Sequence, residues 1–141
     1  MKRLKVLFVC THNSARSQMA EALANHYFGD FVEAYSAGSE STFVKPHAIK
    51  VIEELGIDMS KHFSKTVFYF ENEKFDYVIT VCDNAKETCP FFPGAKNYIH
   101  KSFVDPSNVS GSEEEKLLSF RKSRDEIKKW LFSFLGKLKN Y

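Results

Sequence analysis

The sequence predicts an α/β fold, a four-stranded parallel sheet with helices on both faces, and three observations carry that expectation. Short apolar runs rich in β-branched residues alternate along the chain with segments of helical periodicity, the pattern of parallel strands joined by right-handed crossover helices. Two of those runs end on a cysteine, and proline or glycine marks several segment ends. The 141 residues, 43% hydrophobic and 27% charged, match the size and balance of one ordinary soluble globule, so a single domain over residues 1–141 is expected, without linker or internal repeat.

Each element has its own signal. Residues 4–9, Leu-Lys-Val-Leu-Phe-Val, run into Cys10 and suit a strand buried on both faces. Residues 16–28 read as a helix, with Met19, Ala20, Leu23 and Tyr27 at helical spacing and Gly29 as a left-handed closing residue. Residues 31–36 form a second strand. Residues 46–55 form a second helix, with Pro46 in its first turn, Ile49, Ile52 and Leu55 on one face, and Gly56 behind it. Residues 75–81 are a third strand running into Cys82, and residues 97–100 a weaker fourth. Ser112 and Glu115 make a capping box, after which Leu117, Phe120, Ile127, Leu131, Phe134 and Leu138 carry the core stripe of a long terminal helix. Ligands of such sheets bind beyond the carboxyl ends of the strands, where Cys10 and Cys82 fall.

Composition excludes several classes. No apolar run approaches the roughly 20 residues of a membrane span, and Met1-Lys2-Arg3-Leu4 leads into a strand rather than a secretory signal. Twenty basic and 18 acidic side chains, interspersed and netting +2, give no broad basic face for nucleic acid. A small-molecule or protein partner is expected. Three cysteines without an export signal fit reduced thiols better than a disulfide framework.

The first cysteine opens the segment Cys10-Thr11-His12-Asn13-Ser14-Ala15-Arg16-Ser17, between a strand end and a helix start. Outward-pointing N–H groups at a helix N-terminus hold a tetrahedral oxyanion, and the same field favours a thiolate nucleophile. Arg16 adds a planar fork for two anion oxygens, and Ser17 a nearby hydroxyl. The plainer alternative is a buried structural cysteine at a strand end.

Cys82 leaves the third strand at the same sheet edge as Cys10 if the two strands are parallel neighbours. Cys89 follows seven residues later. Were the intervening segment helical, the two would lie about 10 Å apart along the axis at 1.5 Å per residue. A disulfide needs Cα atoms within about 4.4 to 6.8 Å, so a bond between them requires that segment to loop out or unwind. Asn84, Pro90, Pro93 and Gly94 suit a rearranging segment. Unreactive core cysteines remain an alternative, while a zinc site would call for closer pairs such as Cys-x2-Cys. Asp105-Pro106 by itself is simply a turn.

Together these motifs resemble the low-molecular-weight protein tyrosine phosphatases and, more specifically, the thioredoxin-coupled arsenate reductases built on the same fold. Residues 10–17 resemble the family's Cys-x5-Arg-Ser loop, with His12 where glycine is common and Ala15 where many members have cysteine. The resemblance implies Cys10 as nucleophile, Arg16 as anion binder, Ser17 as thiolate support, Asn13 as loop-ordering residue and Asp105 as general acid. Cys82 and Cys89, with Pro90 behind, match the reductases' second and third cysteines. Ser107-Asn108 replaces the aromatic pair with which phosphatases line a phosphotyrosine cleft.

The same resemblance implies an arsenate reductase using a three-cysteine relay. A transient Cys10–Cys82 disulfide gives way to a Cys82–Cys89 disulfide, which thioredoxin reduces. Phosphate and sulfate are expected as substrate analogues, no cofactor is bound, and the protein is a cytoplasmic monomer. The rivals are a phosphatase using Cys10, Arg16 and Asp105 alone, and a non-catalytic oxyanion-binding redox sensor. Some of these reductases bind potassium beside the anion loop. The matching oxygens are on Asn13, Glu21 and Ser36, but Lys65 stands where a fourth, acidic contributor is expected.

Overall fold

The computed structural model describes residues 2–83 and 91–139. Strands β1 (Leu4–Cys10), β2 (Val32–Gly38), β3 (Phe75–Thr80) and β4 (Ala95–His100) form one parallel sheet in the order β2-β1-β3-β4. Its three α-helices are α1 (Arg16–Phe28), α2 (Pro46–Glu53) and α3 (Glu113–Lys139). The expected parallel architecture is present, with the first cysteine's strand in its centre.

Alternation along β1 divides the core. Val6, Phe8 and Cys10 join the cluster that includes Met19, Ala20 and Leu23 of α1, Val51 and Ile52 of α2, and Phe120, Ile127, Leu131 and Leu135 of α3. Leu7 and Val9 face the other way, onto Phe70, Phe75, Val78 and Phe92. All three α-helices thus contribute to one cluster, while a short 3-10 helix, Val67–Phe70, packs on the second face. Nine of the 13 residues of α1 are buried, polar ones among them, which explains why its apolar spacing was readable only in part.

Element ends depart from expectation for identifiable reasons. Gly29 is right-handed (φ −61°), not left-handed; a Cβ there would come within 2.4 Å of the Asn25 carbonyl oxygen, so close approach is what calls for glycine. α2 stops at Glu53 because Leu55 and Gly56 donate to carbonyls three residues back, and Gly56 takes φ +79°. β2 runs on to Gly38, which pairs with Cys10. β3 ends at Thr80 rather than Val81, and β4 begins at Ala95 rather than Asn97. The capping box forms as expected: the Glu115 N–H donates to Ser112 Oγ, and the Ser112 N–H to Glu115 Oε1.

An ion cluster fastens α3 across α2. Arg124, 8% exposed, donates to the Val51 carbonyl and to Glu54 Oε1, while Arg121 donates through two nitrogens to the same carboxylate. The Arg121 hydrogen bonds, helped by Arg124, hold the Glu54 carboxyl down at about 2, from an ordinary 4.5. Because the folded value is depressed, the stabilisation is complete above about pH 4.5 and is lost as pH falls toward 2. Glu54 is one-third exposed, which discounts the effect to about 1 kcal/mol. Denaturant unfolding of Glu54→Gln against wild type is expected to show that gap at pH 7 and its closure below pH 3.

Candidate oxyanion site

The site grows from the junction of β1 and α1. Ala15, the residue before α1, offers no side-chain cap, and the first turn of the helix holds no acidic residue. The preceding loop is held from outside through its carbonyls. Thr11 O accepts from the N–H groups of Ser39 (2.8 Å) and Glu40 (3.0 Å), His12 O from Ser64 Oγ (3.0 Å), and Ser14 O from the Lys45 N–H (2.9 Å). In a trans peptide, C=O of one residue and N–H of the next point oppositely. The N–H groups of His12, Asn13 and Ala15 therefore face away from those donors, which is how a loop makes a nest for an anion.

Asn13 is the pivot. It is fully buried and the one non-glycine residue with positive φ (49°) among the described residues. Its Oδ1 accepts from Gln18 Nε2 (2.9 Å) and from the Lys65 N–H (3.0 Å), and its Nδ2 donates to Ser17 Oγ at 2.8 Å. Accepting from Asn13 leaves the Ser17 hydroxyl hydrogen for the Cys10 sulfur, 2.8 Å away. Gly38 lets the end of β2 lie under this loop: a Cβ there would come within 2.7 Å of Thr11 O and 2.8 Å of Asn13 N.

Arg16, 3% exposed, donates through Nη1 to the Phe103 carbonyl (3.1 Å) and brings Nη2 to 3.6 Å from Asp105 Oδ2. Asp105 turns its other oxygen inward to its own loop, accepting from the N–H (3.0 Å) and the hydroxyl (2.6 Å) of Ser107. The Asp-Pro segment is thus a turn, a 3-10 helix over Pro106–Asn108, and also the mount that carries a carboxylate to the guanidinium. His12 is exposed, its Nε2 3.6 Å from Glu40 Oε2.

Cys10 is a buried free thiol. Val9 pairs with Thr80 and the Val81 N–H donates to the Val9 carbonyl, so Cys82 leaves its strand beside Cys10's, its Sγ 3.7 Å from Val9 O. Cys82 is buried, just past the end of the strand next to that of Cys10. Cys89, with Asn84 and Pro90, lies outside the described residues.

The potassium positions do not fit an ion. Asn13 Oδ1 already accepts two hydrogens, Glu21 Oε1 accepts from Ser36 Oγ at 2.6 Å, and Lys65, a cation-bearing side chain, lines the same small cavity as Glu21. Among the described residues, no three His, Cys, Asp or Glu side chains gather as a metal group.

Two contributors, Gln18 and His62, are not among the residues the sequence singles out, and Lys65, noted there only beside the potassium positions, takes a different part. Gln18 reaches Asn13 and the Phe63 carbonyl, His62 Nδ1 meets Gln18 Oε1 at 2.9 Å, and the Lys65 backbone holds Asn13. Gln18 had a signal of sorts, as a polar residue beside the apolar face of α1. The supporting roles of His62 and of the Lys65 backbone had none.

Comparison with known proteins gives the family. The low molecular weight phosphotyrosine protein phosphatase family matches residues 5–141, and the chain belongs to that family. Within it, the chain is similar to arsenate reductases. One from Halalkalibacterium halodurans is 42% identical over 134 residues, covering 95% of this chain and 96% of that protein. A solved arsenate reductase in its phosphate-binding state superposes with a TM-score of 0.80 at 32% identity, over 95% of this chain and 98% of its own. A thioredoxin-dependent arsenate reductase from Corynebacterium glutamicum gives 0.59 at 31% identity, over 92% and 62%.

Proposed function

We propose that this chain reduces arsenate to arsenite by a three-cysteine relay that thioredoxin resets, working as a cytoplasmic monomer. The observation that carries the reading is the convergence of Cys10, Ser17, Arg16 and Asp105 at the strand ends, with Cys82 leaving the neighbouring strand. Arsenate binds to the loop amides and Arg16. The Cys10 thiolate attacks arsenic, a hydroxyl departs as water with a proton from Asp105, and a sulfur–arsenic bond forms.

Cys82 thiolate then attacks the Cys10 sulfur. The electron pair of the sulfur–arsenic bond passes to arsenic, arsenite leaves, and Cys10 and Cys82 become a disulfide. Cys89 attacks Cys82 in turn, freeing Cys10, and the Cys82–Cys89 disulfide takes two electrons from thioredoxin. Support comes from the adjacent strands that lead into Cys10 and Cys82, and from the thioredoxin-dependent relative.

The test is arsenite production over many turnovers with thioredoxin, thioredoxin reductase and NADPH. Cys82→Ser and Cys89→Ser are each expected to stop turnover while leaving hydrolysis of an aryl phosphate within about threefold of wild type. Wild-type arsenate reduction by both variants overturns the relay.

A further inference from the structure

Behind the loop that carries Asp105, the packing against α3 is open. Ser119, Lys122, Ser123 and Glu126, spaced i, i+3, i+4 and i+7, make one stripe of α3. With Phe103, Val104, Pro106 and Val109 as an apolar wall, that stripe lines a cavity of about 330 Å³. The Ser119 hydroxyl ties wall to helix, donating to the Pro106 carbonyl at 3.1 Å. Ser123 makes no such bond. It is 7% exposed, and its Oγ is the one buried side-chain oxygen or nitrogen without a hydrogen-bond partner among the described residues. A serine inside a helix can satisfy its hydroxyl on the carbonyl four residues back; this one is left with its donor and acceptor unused, at a cost.

An apolar wall with a few polar groups to fix orientation is the make-up of a small-molecule pocket. Since a cavity of about 150 Å³ suffices for benzene, this one has room for a compound of one or two rings. Lys122 and Glu126, both exposed and of opposite sign, leave no net charge among the lining residues, which suits a neutral ligand. The wall also belongs to the oxyanion site. Asp105 stands between Val104 and Pro106, and the Phe103 carbonyl is the one to which Arg16 Nη1 donates at 3.1 Å. Whatever fills the cavity bears on the backbone that positions both groups.

We infer that this cavity is an effector site for a neutral, mainly apolar ring compound bearing a hydroxyl: the ligand pairs with the Ser123 hydroxyl, fills the space behind residues 103–106, and by steadying Arg16 and Asp105 tightens oxyanion binding. The coupling rests on the reading of the loop as an oxyanion site; binding in the cavity does not.

Phenol and toluene, which differ by a hydroxyl in place of a methyl group, are the probes. Titrated into the full chain and followed by amide NMR, phenol is expected to shift the signals of Phe103, Val104 and Ser123 saturably. Ser123→Ala is expected to weaken phenol about fivefold and to leave toluene within about twofold. Without ligand, its melting temperature is expected to be no lower than that of wild type, because the hydroxyl makes no bond to lose. Calorimetry of wild type at saturating phenol is expected to show phosphate binding about fivefold tighter. The absence of saturable shifts, or shifts confined to residues 10–17, overturns the inference. So does equal phenol affinity in Ser123→Ala, a fall of several degrees in its melting temperature, or a phosphate affinity that phenol does not change. Should wild type bind no phosphate at all, the oxyanion reading fails, and the phenol and toluene titrations still decide whether the cavity is a binding site.

Discussion

Cys10→Ser is expected to lower both arsenate reduction and aryl phosphate hydrolysis by at least about 10⁴-fold while phosphate affinity stays within about tenfold of wild type. The hydroxyl is smaller than the thiol but can still hydrogen-bond Ser17 Oγ, the neighbour of the Cys10 sulfur, so the loop and the helix end are expected to remain in place. What is lost is the nucleophile, since a serine hydroxyl without a paired base is a poor one. Rates measured beside calorimetric phosphate binding check this. A variant that still turns over arsenate would remove Cys10 from the chemistry. A wild type that binds phosphate and turns over neither substrate would leave only the binding module.

Arg16→Lys is expected to cost about 10² to 10³-fold in kcat/KM for arsenate. The guanidinium is buried and already committed on one side, to the Phe103 carbonyl, with Asp105 3.6 Å from its other terminal nitrogen. A planar fork serves the carbonyl, the carboxylate and an anion at once; an ammonium is a point charge that reaches only part of this set. Steady-state kinetics on Arg16→Lys are expected to show KM and kcat worsening together, because the same group holds the anion and faces the acid. An unchanged kcat would confine Arg16 to binding.

Much of the fold was legible because local chemistry and tertiary structure agree. Residues 16–28 are helical with those limits, and Ser112 and Glu115 cap α3. The strands were recognisable as apolar runs, but their ends were not. β2 extends two residues further because Gly38 pairs with Cys10, a property of the partner strand rather than of residues 37 and 38. The site divides in the same way. Cys10, Arg16 and Ser17 lie within eight residues, so spacing revealed them. Asp105 needed its resemblance to a known Asp-Pro loop to rise above a turn. Gln18, His62 and Lys65 act through contacts spanning up to 52 residues, and a buried lysine looks no different in sequence from a solvated one. Gly29 misled for the opposite reason: its presence was informative, but the cause was a nearby carbonyl and not its backbone freedom.

The bare start of α1 has a consequence for how this protein endures heat and denaturant. α3 is finished by one of its own flanking side chains, Ser112; α1 is preceded by Ala15, which offers none. On the proposed reading, its closing piece is a bound anion. Any tetrahedral anion that occupies the loop completes the secondary structure as well as the site, and at a hundred times its dissociation constant contributes about 2.7 kcal/mol to folding. On that reading, phosphate bound in the loop would stabilise the fold as well as compete with arsenate.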